Sequence, residues 1–121
     1  MSGDGFIPGR GDLLWILFGR SPESGDVFGH EQQGRRPAFC LSPYDYNEQR
    51  GMAVVCPVTS RIRGYERTEV RLPPGLLDRT SVVLVDQVRA IDWRARKGQL
   101  IGACPFETVH EVLRKLRAIT G

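Results

Sequence analysis

Gly29–Pro43 reads GHEQQGRRPAFCLSP and changes character halfway along. His30, Glu31, Gln32, Gln33, Arg35 and Arg36 are polar or charged, whereas Ala38, Phe39, Cys40 and Leu41 are apolar. The pattern is a loop tip feeding a strand over Arg36–Ser42, with Pro37 tolerated at the strand's first residues. Polar side chains on a loop above a rigid strand are a common setting for binding and catalysis. This loop offers a carboxylate, an imidazole and two guanidiniums close together.

Similar apolar runs lie on either side. Asp12–Phe18 (DLLWILF, just after a glycine), Met52–Pro57 (MAVVCP) and Ser81–Val88 (SVVLVDQV) are short apolar runs, as buried strands are. Glu66–Leu72 alternates in the manner of an exposed strand with its charges outward. Gly98–Ala103 predicts a last short strand. Pro43–Arg50 has room for one helical turn, with Ser42 as N-cap and Pro43 as first residue, and Leu76–Arg79 predicts another. Pro105–Thr120 predicts the one long helix. Phe106, Val109, Val112, Leu113, Leu116 and Ile119 recur on one face, Glu111 and Lys115 are spaced to pair, and Gly121 suits the C-cap. The sum is a mainly β (α+β) domain of five to seven antiparallel strands, curved into a small barrel or half-barrel with a C-terminal helix.

At 121 residues the chain is long enough for one ordinary core, so 1–121 is read as a single domain with residues 1–10 loose and Phe6 and Ile7 tucked against the body. The charged fraction of 26% is that of a soluble chain, and the net charge of +3 suits a polyanionic partner without proving one. The three cysteines are widely spaced and read as buried free thiols of a reducing, cytoplasmic setting. Their spacing, with two distant histidines, argues against a metal site, and no cofactor motif is present. No apolar run reaches membrane-spanning length, and the N-terminus lacks a signal-peptide pattern.

Glu31, Arg36 and Thr59 stand at strand ends or in the long loop. RNA carries its own nucleophile, the 2′-hydroxyl. Its cleavage needs a base for that proton, a cation for the crowded phosphorane and a donor for charge developing on oxygen. A carboxylate, a guanidinium and a threonine hydroxyl supply these. Each also has an ordinary reading: a solvated loop charge, a structural ion pair (for Arg36, with Asp86) and a strand-end hydroxyl bonding to backbone. Spacing alone does not choose between them.

The order of motifs does more. Gly11–Phe18 (GDLLWILF), Gly29–Pro37 (GHEQQGRRP), Cys56–Ser60 (CPVTS) and Leu84–Asp92 (LVDQVRAID) together resemble the MazF/PemK (Kid) family of toxin endoribonucleases. The resemblance runs from Gly11 to the terminal helix. It implies an SH3-like barrel of the CcdB/MazF/PemK type, a homodimer, and metal-independent, sequence-specific cleavage of single-stranded RNA, chiefly mRNA. It further implies 2′,3′-cyclic phosphate and 5′-hydroxyl ends, and a small MazE-like antitoxin whose acidic disordered tail covers the RNA groove. On the MazF pattern Glu31, Arg36 and Thr59 are catalytic. The PemK pattern uses residues matching His30, Asp86 and an arginine two positions earlier, where this chain has Leu84, so the first set is preferred. Some MazF relatives carry histidine where this chain has Arg35. His30, Gln32, Arg35, Ser60, Arg61, Asp86 and Gln87 are the expected substrate contacts, with Asp86 orienting Arg36 or Gln87. Phe28, Tyr44, Tyr46 and Tyr65 are candidate base stackers. Two other readings compete. One is a CcdB-type gyrase-binding toxin, although the chain ends Ala118-Ile119-Thr120-Gly121 without that family's Trp-Gly-Ile tail. The other is an RNA-binding module without chemistry.

Overall fold

The computed structural model describes residues 6–17 and 34–121. Within them the chain runs β1 (Asp12–Leu17), β2 (Arg35–Cys40), α1 (Tyr44–Arg50), β3 (Ala53–Thr59), β4 (Glu69–Arg71), β5 (Val82–Leu84), β6 (Arg89–Ile91), β7 (Gln99–Ala103) and α2 (Phe106–Thr120). All strand pairs are antiparallel, in the order β4-β5-β3-β2-β1-β7, with β6 also on β3.

β3 explains the curvature. Its first residues, Ala53–Val55, pair with β6, while Val58 and Thr59 pair with β5. Pro57, which has no N–H to give, sits where one partner is exchanged for the other. A strand that hands over between partners must bend, and the sheet bends with it.

The near-continuous apolar runs follow from burial on both faces. Leu13, Phe39, Cys56 and Val58 face one cluster; their neighbours Leu14, Ala38, Val55 and Cys40 face another. The helix α2 closes the first cluster through Val109, Val112, Leu113 and Leu116. Phe6, Ile7 and the fully buried Trp93 close the second. Residues 6–10 are therefore not loose. Trp93 Nε1 donates to the Phe6 carbonyl (3.3 Å), Asn47 Nδ2 to that of Pro8 (2.7 Å), and Arg10 Nε to that of Leu41 (2.6 Å).

Several local expectations are corrected. Ser42 does not cap α1. The helix runs a full seven residues from a Pro43 N-cap without a side-chain cap bond. Ser42 Oγ instead donates to Asn47 Oδ1 (2.5 Å) and accepts the Val54 N–H (2.8 Å). Glu69 points inward, because its carboxylate accepts backbone N–H groups from Arg63, Gly64 and Tyr65. The Ser81–Val88 run yields only three strand residues, and Asp86 sits exposed in a turn. Leu76–Arg79 forms bends rather than a helical turn. On α2, Phe106 and Ile119 leave the packed face at 76% and 47% exposure. Lys115 is buried instead: its Nζ donates to the carbonyls of Glu66 and Glu69 and lies 3.4 Å from Glu111. No helix among the described residues is long and apolar enough to cross a membrane.

Candidate active site

The β2–β3 pairing fixes the site. Ala38 lies opposite Pro57, Phe39 opposite Cys56 and Cys40 opposite Val55. Each pair sums to 95, so continuing the register two residues sets Arg36 across from Thr59. On its other side Arg36 lies opposite Ile16 of β1, and Pro37 opposite Trp15. The first polar residues of one strand and the last residue of its neighbour thus meet at one end of the sheet.

A cleft of about 650 Å³ opens there, inside the range of roughly 300–1,000 Å³ usual for ligand clefts. Arg35, Arg36, Thr59 and Ser60 line its polar side. Trp15, Val58 and Ile101 form an apolar floor, and Leu76, Leu77, Asp78, Arg79 and Ser81 make the opposite wall.

Each polar group is set by its surroundings. Thr59 Oγ1 accepts the Arg61 N–H at 3.0 Å, which turns the chain out of β3 and leaves the hydroxyl proton to donate elsewhere. Arg36 is exposed. Arg35 is half-buried, and one guanidinium nitrogen donates to the Lys97 carbonyl. Its Nε is buried and has no partner among the described residues. The same corner is tied again where Arg96 Nη1 donates to the Leu17 carbonyl (2.7 Å) and the Leu17 N–H donates to the Arg96 carbonyl (3.0 Å). Two permanent cations and a hydroxyl beside an apolar floor suit a phosphodiester flanked by bases.

A family model described as PemK-like, MazF-like toxin of type II toxin-antitoxin system matches residues 9–120. The chain belongs to the MazF/PemK toxin family. The MazF chain of a MazE–MazF crystal structure from Deinococcus radiodurans superposes with a TM-score of 0.77 at 39% identity, covering 96% of this chain and 97% of that one. Two Escherichia coli proteins are similar along almost their whole length. The endoribonuclease toxin MazF is 36% identical over 116 residues, 96% of each chain. The endoribonuclease toxin ChpB is 42% identical over 113 residues, 91% of each. MazF/PemK relatives are named for RNA cleavage, and the gyrase-binding alternative loses its support.

Of the residues the MazF/PemK resemblance singles out, the structure brings Arg35, Arg36, Thr59 and Ser60 to one cleft, with Arg61 next in the chain. Asp86 and Gln87 are exposed in the turn after β5 and do not line it. His30, Glu31, Gln32 and Phe28 lie outside the described residues. Tyr44, Tyr46 and Tyr65 are exposed at 53%, 40% and 60%, all away from the cleft lining. Sequence reasoning missed Trp15 and the wall at 76–81. The signal was the pair Leu76-Leu77 directly after Pro73-Pro74-Gly75, apolar residues placed in a turn-rich connection. The thiols take no part: burial pushes Cys40 up and Cys56 up to about 12, the Asp86 charge adding to the second.

Proposed function

We propose that the Arg36–Thr59 cleft is where this toxin cleaves single-stranded RNA, taking mRNA as its substrate in the cytoplasm. The observation that carries the reading is the cleft lining, in which Arg36 of β2 and Thr59 of the adjoining strand β3 occur together.

In this account the Glu31 carboxylate removes the 2′-hydroxyl proton and O2′ attacks the adjacent phosphorus. The Arg36 guanidinium holds the non-bridging oxygens with its fork of N–H donors as charge builds on them. The Thr59 hydroxyl adds one hydrogen bond to that charge. The P–O5′ bond then breaks, the 5′-oxygen takes up a proton, and a 2′,3′-cyclic phosphate and a 5′-hydroxyl remain. No step calls for a metal ion or cofactor. Arg35, Ser60 and Arg61 hold neighbouring phosphates, and Trp15 offers a ring beside the apolar floor. His30 and Gln32 are the further substrate contacts in this account, whereas Asp86 and Gln87, exposed outside the cleft lining, would meet RNA only beyond it.

The toxin acts as a homodimer and is silenced by a small antitoxin with an acidic disordered tail. The Deinococcus radiodurans structures, which are of MazE–MazF, support the antitoxin partner. The exposed arginines at 61, 63, 67 and 94 would attract such a tail.

The test is incubation of purified protein with single-stranded RNA in excess EDTA, followed by end-group analysis. Fragments with a 5′-hydroxyl and a 2′,3′-cyclic phosphate are expected. Cleavage that stops on chelation, or products with a 5′-phosphate, would reject the mechanism.

A further inference from the structure

The chain leaving the cleft at Ser60 enters a loop that carries a run of cations and is held with unusual firmness. Arg61, Arg63, Tyr65 and Arg67 are all exposed. Beneath them, Glu69 is 92% buried by its 8% exposure, and its carboxylate is filled by three consecutive amides. The Arg63 N–H donates to Oε2 at 3.1 Å, and the N–H groups of Gly64 and Tyr65 donate to Oε1 at 2.9 and 3.2 Å. Gly64 turns at φ +84°, which lets successive amides converge on one anion. Upstream, Thr59 Oγ1 takes the Arg61 N–H. Downstream, the buried Lys115 ammonium of α2 holds the carbonyls of Glu66 and Glu69.

The amides of Arg61, Arg63, Gly64 and Tyr65 and the carbonyls of Glu66 and Glu69 are thus each held by a side chain. Core packing does not demand this of an exposed loop, since charged hydrogen bonds are spent on backbone that water would otherwise solvate. What they hold in place is Arg61 and Arg63, one and three residues beyond the cleft-lining Ser60. Fixing a cation's backbone lowers the ordering entropy lost when it meets a ligand.

We propose that Glu69, braced by Lys115, is a positioning residue that holds Arg61 and Arg63 as a preset rail for the RNA phosphates leaving the cleft. This rests on the ribonuclease reading above. Its consequence is that RNA binding, rather than the chemical step, depends on a buried carboxylate with no route to the substrate.

The experiment measures two quantities in wild type, Glu69→Gln, Gly64→Ala and Arg61→Ala/Arg63→Ala. The first is kcat and KM on a single-stranded RNA. The second is the salt dependence of binding to an uncleavable 2′-O-methyl RNA of the same sequence. Each phosphate neutralised on a single strand contributes about 0.7 to the slope of log affinity against log salt, so the double-arginine variant should lose about 1.4. Glu69→Gln should lose a comparable part of that slope and raise KM about tenfold with kcat within about twofold. Gly64→Ala tests the loop without touching the buried carboxylate, because an added Cβ meets nothing within 4 Å and only the positive φ is strained. It should shift KM and slope the same way while its melting temperature shows a folded protein. Adding Glu69→Gln to the double-arginine variant should change neither quantity further. An unchanged slope in the double-arginine variant would overturn the rail. A wild-type slope and KM in folded Glu69→Gln, or a fall in kcat alone, would overturn the positioning role. Failure of wild type to cut RNA would instead reject the ribonuclease reading.

Discussion

Replacing Asn47 with alanine should destabilise the protein far more than one short surface helix suggests. Asn47 is fully buried in α1. Its Nδ2 donates to the Pro8 carbonyl (2.7 Å) and the Ser42 carbonyl (3.2 Å), and its Oδ1 accepts the Ser42 hydroxyl (2.5 Å). The residue therefore ties the N-terminal segment, the end of β2 and α1 into one knot, and Ser42 Oγ extends it to Val54 of β3. Losing three hydrogen bonds at a net ~1 kcal/mol each, and leaving a buried hydroxyl without an acceptor, comes to about 4 kcal/mol. With an unfolding entropy of about 2.1 cal/mol/K per residue, 121 residues give ~0.25 kcal/mol/K, and the melting temperature should fall by roughly 15 °C. Ser42→Ala removes the shared bond and also orphans the Val54 N–H. The double variant should therefore fall short of the sum of the singles by about 1 kcal/mol. Thermal and urea unfolding followed by circular dichroism supply all three values. A melting shift below about 4 °C for Asn47→Ala, or strict additivity with Ser42→Ala, would refute the idea of a closed buried network.

Three further outcomes are expected. Arg36→Lys keeps a positive charge but not the planar fork, so kcat/KM on RNA should fall by about 10²-fold or more with an unchanged circular dichroism spectrum; near-wild-type cleavage would mean that charge alone suffices. Thr59→Ser should retain most activity, whereas Thr59→Val, similar in shape but without a donor, should lose about tenfold or more in kcat; equal activity of the two would remove the hydroxyl from the mechanism. Cys56 has its thiol pKa raised from 9.0 to about 12, chiefly because burial disfavours the thiolate. The native state therefore holds that proton where the unfolded chain has lost it, so the thiol's contribution to stability is full below pH 9 and declines as pH rises toward 12. Unfolding free energy measured from pH 8 to 11 should fall less steeply in Cys56→Ala than in wild type, and parallel curves would contradict the assignment.

The strands were legible because both faces of the sheet are buried: runs such as Leu13–Ile16 and Ala53–Val58 alternate between two apolar clusters and so read as continuously hydrophobic. The long helix was legible from its period. What could not be read was where charge goes when backbone is its partner. Glu69 and Lys115 look like surface residues in any pattern, yet both are buried against amides and carbonyls of the 63–69 loop. Asn47 sits in a polar stretch that suggests exposure, but its side-chain partners lie on Pro8, Cys40 and Ser42, which only the fold brings near. Asp86 erred in the opposite direction, its apolar neighbours suggesting a buried charge where the chain turns out to water. For the site, the motifs pointed to Arg36 and Thr59 separately. Their juxtaposition is a matter of register, and the wall at Leu76–Ser81 arises from a connection without regular structure.

Primer-extension mapping of cut sites on a long RNA, in EDTA, with wild type and with the Arg36→Ala/Thr59→Ala double variant, tests the central claim most directly. The account predicts a small set of discrete, sequence-related stops for wild type and none for the folded double variant. Stops that persist unchanged in the double variant would show that the Arg36–Thr59 cleft is not where RNA is cut.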